Sequence, residues 1–270
     1  SLGQLRHKSG PKTAIINLDD PSAQTIISAA EGTRIFTYSI SKESVNILAQ
    51  NIKVRAKGAT FTIRAGKESE TLQLKITGNF NVYNVLAACG AVLAENVSLD
   101  TIKSALENFR SVPGRFEIVD EGQPFSVIVD YAHTPDGLKN ILVTARQITE
   151  GRIISVFGCG GDRDKTKRPI MGKLAAELSD VVVATSDNPR SEDPVQILKD
   201  VEAGIKEVAS ENYQVIVDRK EAIQTAITMA QPNDIVIIAG KGHETYQIIG
   251  NKTIDFDDRE VAREVIREMK

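Results

Sequence analysis

Residues 181–194 read VVVATSDNPRSEDP, and this stretch shows the change of pattern that decides the fold. Its β-branched apolar run predicts a buried strand, which stops at an acid, an amide, a proline and an arginine, residues 187–190. Asp193 and Pro194 then have the form of a helix N-cap followed by proline at the first helical position. The stretch therefore predicts a strand, a polar turn and a helix in direct succession.

The same pattern repeats on both sides of this stretch. Apolar strands are predicted at SVIVD, RIISVF, DVVVAT, YQVIV and DIVIIAG, and a helical segment separates each from the next. Strands of this type that alternate with helices form parallel βαβ units. We therefore predict an α/β protein whose C-terminal part is a doubly wound, mostly parallel sheet.

The part of the chain before Pro113 reads as mixed α/β. Short strands are predicted at TAIIN, RIFTYS and TLQLKI, with a hairpin about Lys57-Gly58 and a helix end in the opening SLGQLRHKSGPK. Helices are predicted at 22–30, 80–95 and 99–109. We place a domain boundary near Ser111 to Gly114, which gives domains of residues 1–112 and 113–270.

Composition excludes several classes of function. The 270 residues include 33 basic and 36 acidic ones, so net charge gives no reason to expect nucleic acid or a membrane as partner. No apolar run is long enough for a membrane span, and no signal peptide is evident. Cys89 and Cys159 have no CxxC partner, which leaves no disulfide framework or metal site to predict. We expect a cytoplasmic, monomeric protein that binds small molecules.

Polar groups follow four of the predicted C-terminal strands. These groups are DYAHTPD from Asp130, GCGGDRDK from Gly158, the tetrad Asp187 to Arg190, and GKGHE from Gly240. Parallel strands bring their carboxyl ends to one edge of the sheet, so these groups are expected to converge on a ligand. An arginine there is shaped to hold a carboxylate by two parallel hydrogen bonds.

The glycines after RIISVF raise the alternative of a dinucleotide-binding oxidoreductase. Gly158 and Gly160 follow a strand, and Asp187 lies about where a ribose-binding acid belongs. The third glycine is missing, because Arg163 stands in its place. The charged turn suits an anionic or zwitterionic ligand better, and we interpret Cys159 as a small residue in a tight turn.

Three further features concern a nucleotide. His133, beside the strand-end Asp130, is predicted to contact a phosphate or ribose, whereas His243 reads as a turn residue. Asn81 and Asn84 are three positions apart in the sequence, so their side chains share one face of a helix near its N-terminus. Their amides can donate and accept hydrogen bonds as adenine recognition requires. Asn79 is predicted to be the N-cap of the same helix. Arg115, at the domain boundary, could reach a nucleotide or form a salt bridge.

Six motifs occur in a fixed order: GNFNVYNVLAA, VPGRFE, DYAHTPD, GCGGDRDKTKRP, TSDNPRSEDP and AGKGHE. Together they resemble the Mur ligase family of amino-acid-adding enzymes, and within it the type that adds meso-diaminopimelate. The resemblance implies that residues 1–112 are the later part of a P-loop-type ATP-binding domain. It also implies that residues 113–270 are a Rossmann-like amino-acid-binding domain.

The resemblance also implies roles for individual residues. Asn81 and Asn84 are expected at adenine, Arg115 at the nucleotide, Asp130 on ribose, and His133 toward the phosphates as the catalytic candidate. The residues expected to hold diaminopimelate are Arg163, Asp187, Asn188, Pro189, Arg190, Gly240 and Glu244. Among these, Arg190 would bind the extra carboxylate, and the acids Asp187 and Glu244 would bind the ammonium.

The implied reaction passes the γ-phosphate of Mg-ATP to a carboxylate of UDP-N-acetylmuramoyl-L-alanyl-D-glutamate, and the amine then attacks the acyl phosphate. The chain departs from the family pattern because it has no G-x-x-x-x-G-K-[ST] phosphate loop. We expect the main Mg²⁺ ligands upstream of Ser1, no metal site within the chain, and no ligase activity from the chain alone. Lysine addition, folylpolyglutamate-type synthesis and a non-catalytic binding module remain alternatives.

Overall fold

The computed structural model of the protein describes residues 12–55, 58–208 and 211–269. The chain divides into two compact units, Ser1–Arg110 and Ser111–Lys270. The helix end predicted within residues 1–11 and the turn residue Lys57 lie outside the described residues. None of the helices described is long and apolar enough to cross a membrane.

The first unit is a mixed α/β layer structure. Its strands are β1 (Thr13–Asn17), β2 (Arg34–Ser39), β3 (Ile47–Arg55), β4 (Gly58–Ala65) and β5 (Glu68–Leu74). Its helices are α1 (Ala23–Ala29), α2 (Asn79–Ala94) and α3 (Leu99–Asn108). The strands and helices predicted among the described residues of this unit are therefore confirmed.

These strands form one sheet in the order β1-β2-β3-β4-β5. The pairs β1/β2 and β2/β3 are parallel, whereas β4 pairs antiparallel with both β3 and β5. Alternate residues of β4, including Phe61 and Ile63, are buried and pack in one core with Leu86 of α2. The period of two in this sequence thus places one face of the strand on the core.

The start of α2 differs from the prediction. Gly78 occupies the N-cap position with φ 96°, and Asn79 is the first helical residue. The predicted N-cap at Asn79 is therefore wrong by one position. Only a glycine adopts such a positive φ without strain, so the chain turns into the helix one residue earlier.

The second unit is the doubly wound sheet. Its strands are β6 (Glu117–Val119), β7 (Ser126–Asp130), β8 (Ile153–Phe157), β9 (Val181–Thr185), β10 (Tyr213–Ile216), β11 (Ile235–Ala239), β12 (Tyr246–Ile249) and β13 (Lys252–Asp255). Its helices are α4 (Pro135–Ile148), α5 (Lys167–Leu178), α6 (Pro194–Glu207), α7 (Arg219–Thr228) and α8 (Asp258–Glu268). Helix α6 begins at the predicted Asp193 cap, whose side chain accepts the N–H of Val195.

The main sheet has the order β10-β9-β8-β11-β7-β6. All neighbours from β10 to β7 are parallel, and only the short β6, which the sequence analysis missed, pairs antiparallel with β7. Residues of β8 and β11 are buried without alternation because helices cover both faces. The predicted doubly wound, mostly parallel sheet is confirmed.

The two faces carry different helices. Alternate strand residues such as Ile154, Val156 and Ile238 form one core cluster with α7 and α8. The intervening residues point to the other face, where α4, α5 and α6 pack side by side. Strand β11 returns between β7 and β8, so the turn after it lies at the centre of the edge formed by the carboxyl ends.

Candidate functional site

A cleft of about 690 Å³ lies at the carboxyl ends of the parallel strands in the second unit. The residues that sequence reasoning selected and that line it are His133, Arg163, Asp187, Asn188, Arg190, Gly240 and Glu244. Tyr131, Thr166, Lys167 and Tyr246 also line it. The turns after β7, β8, β9 and β11 thus converge on one site, as the parallel topology predicts.

Asp187 supplies a buried acid to this cleft. Only 8% of the residue is exposed, and burial raises the pKa of its carboxyl group, against the opposing charges of Arg219 and Lys241. Within the described part of the chain, no hydrogen-bond donor acts on this carboxylate. A desolvated carboxylate without donors is suited to receive the ammonium group of a ligand.

Asn188 and Glu244 form a closed polar ring with a buried lysine. Asn188 Nδ2 donates to Glu244 Oε2 at 3.0 Å. Lys241 Nζ lies 3.2 Å from both Asn188 Oδ1 and Glu244 Oε2. The lysine is fully buried, so this ring joins the end of β9 to the end of β11.

Arg190 has an unusual backbone conformation, with φ 52°. Its N–H donates to the carbonyl of Ile248 at 3.1 Å, and its carbonyl accepts from Gly250 at 2.7 Å, which holds the residue against the β12–β13 hairpin. Nη1 donates to Gly161 O at 2.8 Å. The half-buried guanidinium is thereby fixed at the cleft wall, in a position to pair with a carboxylate.

Two glycines permit these turns to pack closely. A Cβ at Gly161 would lie 1.9 Å from the carbonyl oxygen of Pro189. The glycine-rich turn can therefore contact the tetrad only because residue 161 has no side chain. Gly240 has φ +120°, and a Cβ there would lie 2.6 Å from Asp187 Oδ2. Both glycines are therefore required by the shape of the cleft wall rather than by a phosphate.

A buried ion pair stabilises the strand ends that carry the site. Arg219 donates through Nε and Nη2 to the two carboxylate oxygens of Asp258, each at 2.8 Å, and both side chains are fully buried. The same guanidinium donates to the carbonyls of Ser186, at 3.2 Å, and Ala239, at 3.0 Å. Arg219 thus fastens the ends of β9 and β11 to helix α8.

The loop that carries Arg163 is fixed by an acidic residue after the tetrad. Glu192 Oε1 accepts the N–H of Asp162 at 2.7 Å and Nη2 of Arg168 at 2.9 Å. The bond from Arg168 is the main reason why the pKa of Glu192 falls to about 2. Arg163 itself is exposed and donates to the carbonyl of Asp162, so its contact with an amino acid stays a prediction.

The residues predicted at the nucleotide in this unit surround Tyr131. The Arg115 guanidinium lies 4.8 Å from the Tyr131 ring centroid, and the His133 ring lies 4.7 Å from it. His133 Nδ1 is 2.9 Å from the carbonyl of Tyr131, which can only accept, so Nδ1 carries the proton and Nε2 remains available. Asp130 is 4% exposed and accepts the N–H groups of Phe116 and Ala132, so its ribose contact stays a prediction.

The two asparagines of α2 differ in their surroundings. Asn81 is buried, donates to Thr77 O at 2.8 Å and accepts from Asn84 Nδ2 at 3.2 Å. Asn84 is exposed, and its amide oxygen and second N–H fit the donor and acceptor pattern of an adenine edge. Asn81 is thus placed to orient Asn84, and the adenine contact of either residue stays a prediction.

Pro189 lies apart from the other predicted residues. It lines a second cleft, of about 740 Å³, together with Ser186, Gln247 and residues of β10 and α7. Among the residues that the structure describes, no cluster of histidine, cysteine, aspartate and glutamate could hold a metal ion.

Two family descriptions match most of the chain. Residues 114–242 match the Mur ligase glutamate ligase domain, and residues 3–92 match the Mur ligase middle domain. The chain belongs to the Mur ligase family. The resemblance seen in the six motifs is thus confirmed.

Relatives within the Mur ligase family include UDP-N-acetylmuramoyl-L-alanyl-D-glutamate–2,6-diaminopimelate ligases. The one from Geobacillus thermodenitrificans is 51% identical over 269 residues, 100% of this chain and 54% of the relative. The one from Clostridium botulinum is 50% identical over 260 residues, 96% of this chain and 53% of the relative. The chain therefore spans about half the length of the curated relatives it matches.

Solved structures agree with this fold. A diaminopimelate ligase of the same name superposes with a TM-score of 0.68 at 37% identity, covering 96% of this chain and 53% of that structure. A folylpolyglutamate synthase from Thermotoga maritima has a TM-score of 0.62 at 19% identity, covering 82% of this chain and 49% of that structure. The similarity to the folylpolyglutamate synthase shows only that the two proteins share a fold.

Sequence reasoning missed several residues of the site. Lys241 had a detectable signal, because a charged residue between two glycines directly follows a buried apolar strand. Lys167, which donates to the carbonyl of His133 at 2.7 Å, lies in a motif that was quoted but not assigned. Arg219 had no signal, since its partner Asp258 is 39 positions away in the sequence.

Proposed function

We propose that this chain contributes the amino-acid-binding unit to an ATP-dependent ligase that adds meso-diaminopimelate to UDP-N-acetylmuramoyl-L-alanyl-D-glutamate in peptidoglycan precursor synthesis. In this proposal the second unit binds the incoming amino acid, and the first unit belongs to the ATP-binding part. Relatives that are 50% and 51% identical to this chain are named as diaminopimelate ligases, which supports diaminopimelate as the amino acid. A cytoplasmic location and a monomeric state stay predictions.

One observation carries the proposal. The acids Asp187 and Glu244 line the same cleft as the Arg190 guanidinium. The distal centre of diaminopimelate has an ammonium and a carboxylate on one carbon, whereas lysine ends in an ammonium alone. Paired acids suit the ammonium, and a fixed guanidinium suits the carboxylate. The cleft is therefore built for a zwitterionic centre.

The chain's own residues supply binding and orientation. Bound ATP would supply the phosphoryl group that activates the acceptor carboxylate, and Asn84, Arg115 and His133 are the residues we propose for its contacts. The acids and Arg190 hold the distal centre, which leaves the other amine of the amino acid to react. Positioning, together with charge neutralisation, provides most of the catalysis in phosphoryl transfer.

Titration calorimetry of the 270-residue chain tests the proposal with diaminopimelate, L-lysine and ATP as ligands. We expect diaminopimelate to bind more tightly than lysine. Arg190→Ala should weaken diaminopimelate binding by about tenfold to a hundredfold, the cost of a charged hydrogen-bonded pair, with little effect on lysine. Arg190→Lys should lose most of the same affinity, because an ammonium cannot bind a carboxylate through two parallel bonds.

A matched control is Arg267→Ala. Arg267 is 61% exposed and pairs with Glu121 on the surface, so its loss should leave both affinities unchanged. Equal affinity of the wild-type chain for lysine and diaminopimelate would end the substrate assignment. ADP release that depends on diaminopimelate would contradict the expectation that the chain alone is inactive.

A further inference from the structure

Lys241 is a buried cation that contacts the cleft only through other residues. Its side chain is fully buried, and it is not among the residues that line the cleft. Its neighbours Asn188, Glu244 and Tyr246 all line the cleft. Nζ lies 3.2 Å from both Asn188 Oδ1 and Glu244 Oε2, and 5.4 Å from the Tyr246 ring centroid.

Lys241 and the N–H of Ile248 together fix which way the Asn188 amide points. Asn188 Oδ1 faces Lys241 Nζ at 3.2 Å and the N–H of Ile248 at 2.9 Å. Both of these groups only donate, so the amide oxygen must face them. The NH₂ group is consequently directed to Glu244 Oε2, and its second N–H remains for a ligand acceptor such as a carboxylate.

Lys241 also balances the charge where the ends of β9 and β11 meet. Asp187 and Glu244 contribute two negative charges there in their ionised forms, and Lys241 and Arg190 contribute two positive charges. The other charged residues that line the cleft, Arg163, Asp164 and Lys167, lie on the turn after β8 and at the start of α5. Without Lys241 the same wall would carry one extra negative charge and would favour a cationic group.

We infer that Lys241 is a positioning residue that orients Asn188 and balances Glu244, and that it thereby selects a zwitterionic side-chain centre over a bare ammonium. This inference rests on the proposed function for the identity of the ligand. The orientation of Asn188 can be measured without any ligand.

The first test compares affinities by calorimetry on the 270-residue chain. Lys241→Met should lower diaminopimelate affinity about tenfold, the effect of one charged hydrogen bond, and should leave lysine affinity within about threefold or raise it. In an Asn188→Ala background, the loss of diaminopimelate affinity from Lys241→Met should be smaller than in the wild type, because only the charge effect on Glu244 remains. An unchanged ratio of the two affinities, or losses that simply multiply, would overturn the inference.

Lys220→Met is the matched control. Lys220 is 58% exposed and pairs with Glu264 on the surface, so its loss removes one positive charge without removing a contact of the Lys241 ring. We expect it to leave the affinity ratio unchanged. If Lys220→Met shifts the ratio of diaminopimelate to lysine affinity as Lys241→Met does, the net charge of the chain explains the shift. That result would contradict a specific role for Lys241.

The second test uses NMR of the Asn188 side-chain amide, identified by its loss in Asn188→Ala. In Lys241→Met, we expect exchange of these amide protons with solvent to become about tenfold faster, the effect of losing about one hydrogen bond. Lys241→Gln, which keeps a donor for Oδ1 but no charge, should keep the wild-type amide signals while still shifting the affinity ratio toward lysine. If the methionine variant does not fold, the affinity ratio of Lys241→Gln still tests the charge effect of Lys241.

Unchanged amide signals and exchange in Lys241→Met would refute the positioning role. If the wild-type chain does not bind diaminopimelate, the proposed function fails, and the amide measurement still decides whether Lys241 orients Asn188. The two hypotheses are therefore separable.

Discussion

Gly240→Ala should disrupt the cleft through a single added methyl group. Gly240 has φ +120°, a conformation that costs an alanine about 1–3 kcal/mol. The new Cβ would also lie 2.6 Å from Asp187 Oδ2, and this carboxylate is too buried to move freely. Such overpacking costs about 1–3 kcal/mol more. We therefore expect the free energy of unfolding to fall by about 2–6 kcal/mol.

Urea denaturation followed by circular dichroism measures this change, and calorimetry measures diaminopimelate binding. Binding should weaken by at least about tenfold, because displacement of Asp187 removes the acceptor for the ligand's ammonium. Gly250→Ala is the control: Gly250 has φ +57°, and no atom lies within 4 Å of its added Cβ. It should cost only the strain of a left-handed backbone, about 1–2 kcal/mol, and leave binding intact.

A double-mutant cycle isolates the contact with Asp187. In an Asp187→Ala background, the cost of Gly240→Ala should fall to that of backbone strain alone, about 1–3 kcal/mol. If Gly240→Ala costs the same in both backgrounds, within about 0.5 kcal/mol, the carboxylate is not the obstacle and the reasoning fails.

Two further predictions concern stability. Arg219→Met should lower the free energy of unfolding by about 3–5 kcal/mol in urea, because it leaves the Asp258 carboxylate buried without its partner. The pKa of Glu192 is about 2 in the folded state instead of 4.5, so its stabilising effect is complete above pH 4.5 and is lost as the pH falls toward 2. The difference in urea midpoint between wild type and Glu192→Gln should therefore shrink over that range.

Each of these predictions has a clear control. Arg267→Met removes an exposed pair with Glu121 and should cost less than about 1 kcal/mol. If Arg219→Met lowers the free energy of unfolding no more than Arg267→Met does, the buried pair does not hold the strand ends. A difference between wild type and Glu192→Gln that stays constant with pH would exclude the depressed pKa of Glu192 as its cause.

Strand and helix positions were largely readable from local pattern. The apolar runs of β8, β9 and β11 and the cap Asp193 depend on neighbours within a few positions. Strand β6 was missed because three residues are too few to show a period, and it exists through pairing with β7. The N-cap of α2 was placed one residue late because the φ of Gly78 is not visible in its neighbours.

The candidate site could be predicted only in part. Asp187, Arg190 and Glu244 carry charges directly after strands, and that position is a sequence signal for a ligand-facing group. The sequence does not show that Asp187 has no donor, that Asn188 is held by Lys241, or that Pro189 lines a different cleft. These facts depend on distances between turns that are far apart along the chain.

The sequence by itself determined the alternation of strands and helices, the convergence of strand-end turns, and membership of the Mur ligase family. Local periodicity and turn chemistry are sufficient for the first two, and ordered motifs for the third. Tertiary structure alone decided which charges are buried and how they pair. Burial and pairing arise when β11 inserts between β7 and β8 and brings Lys241 against Asn188, 53 positions earlier in the chain. The free energy of a charge depends on that environment and not on its place in the sequence.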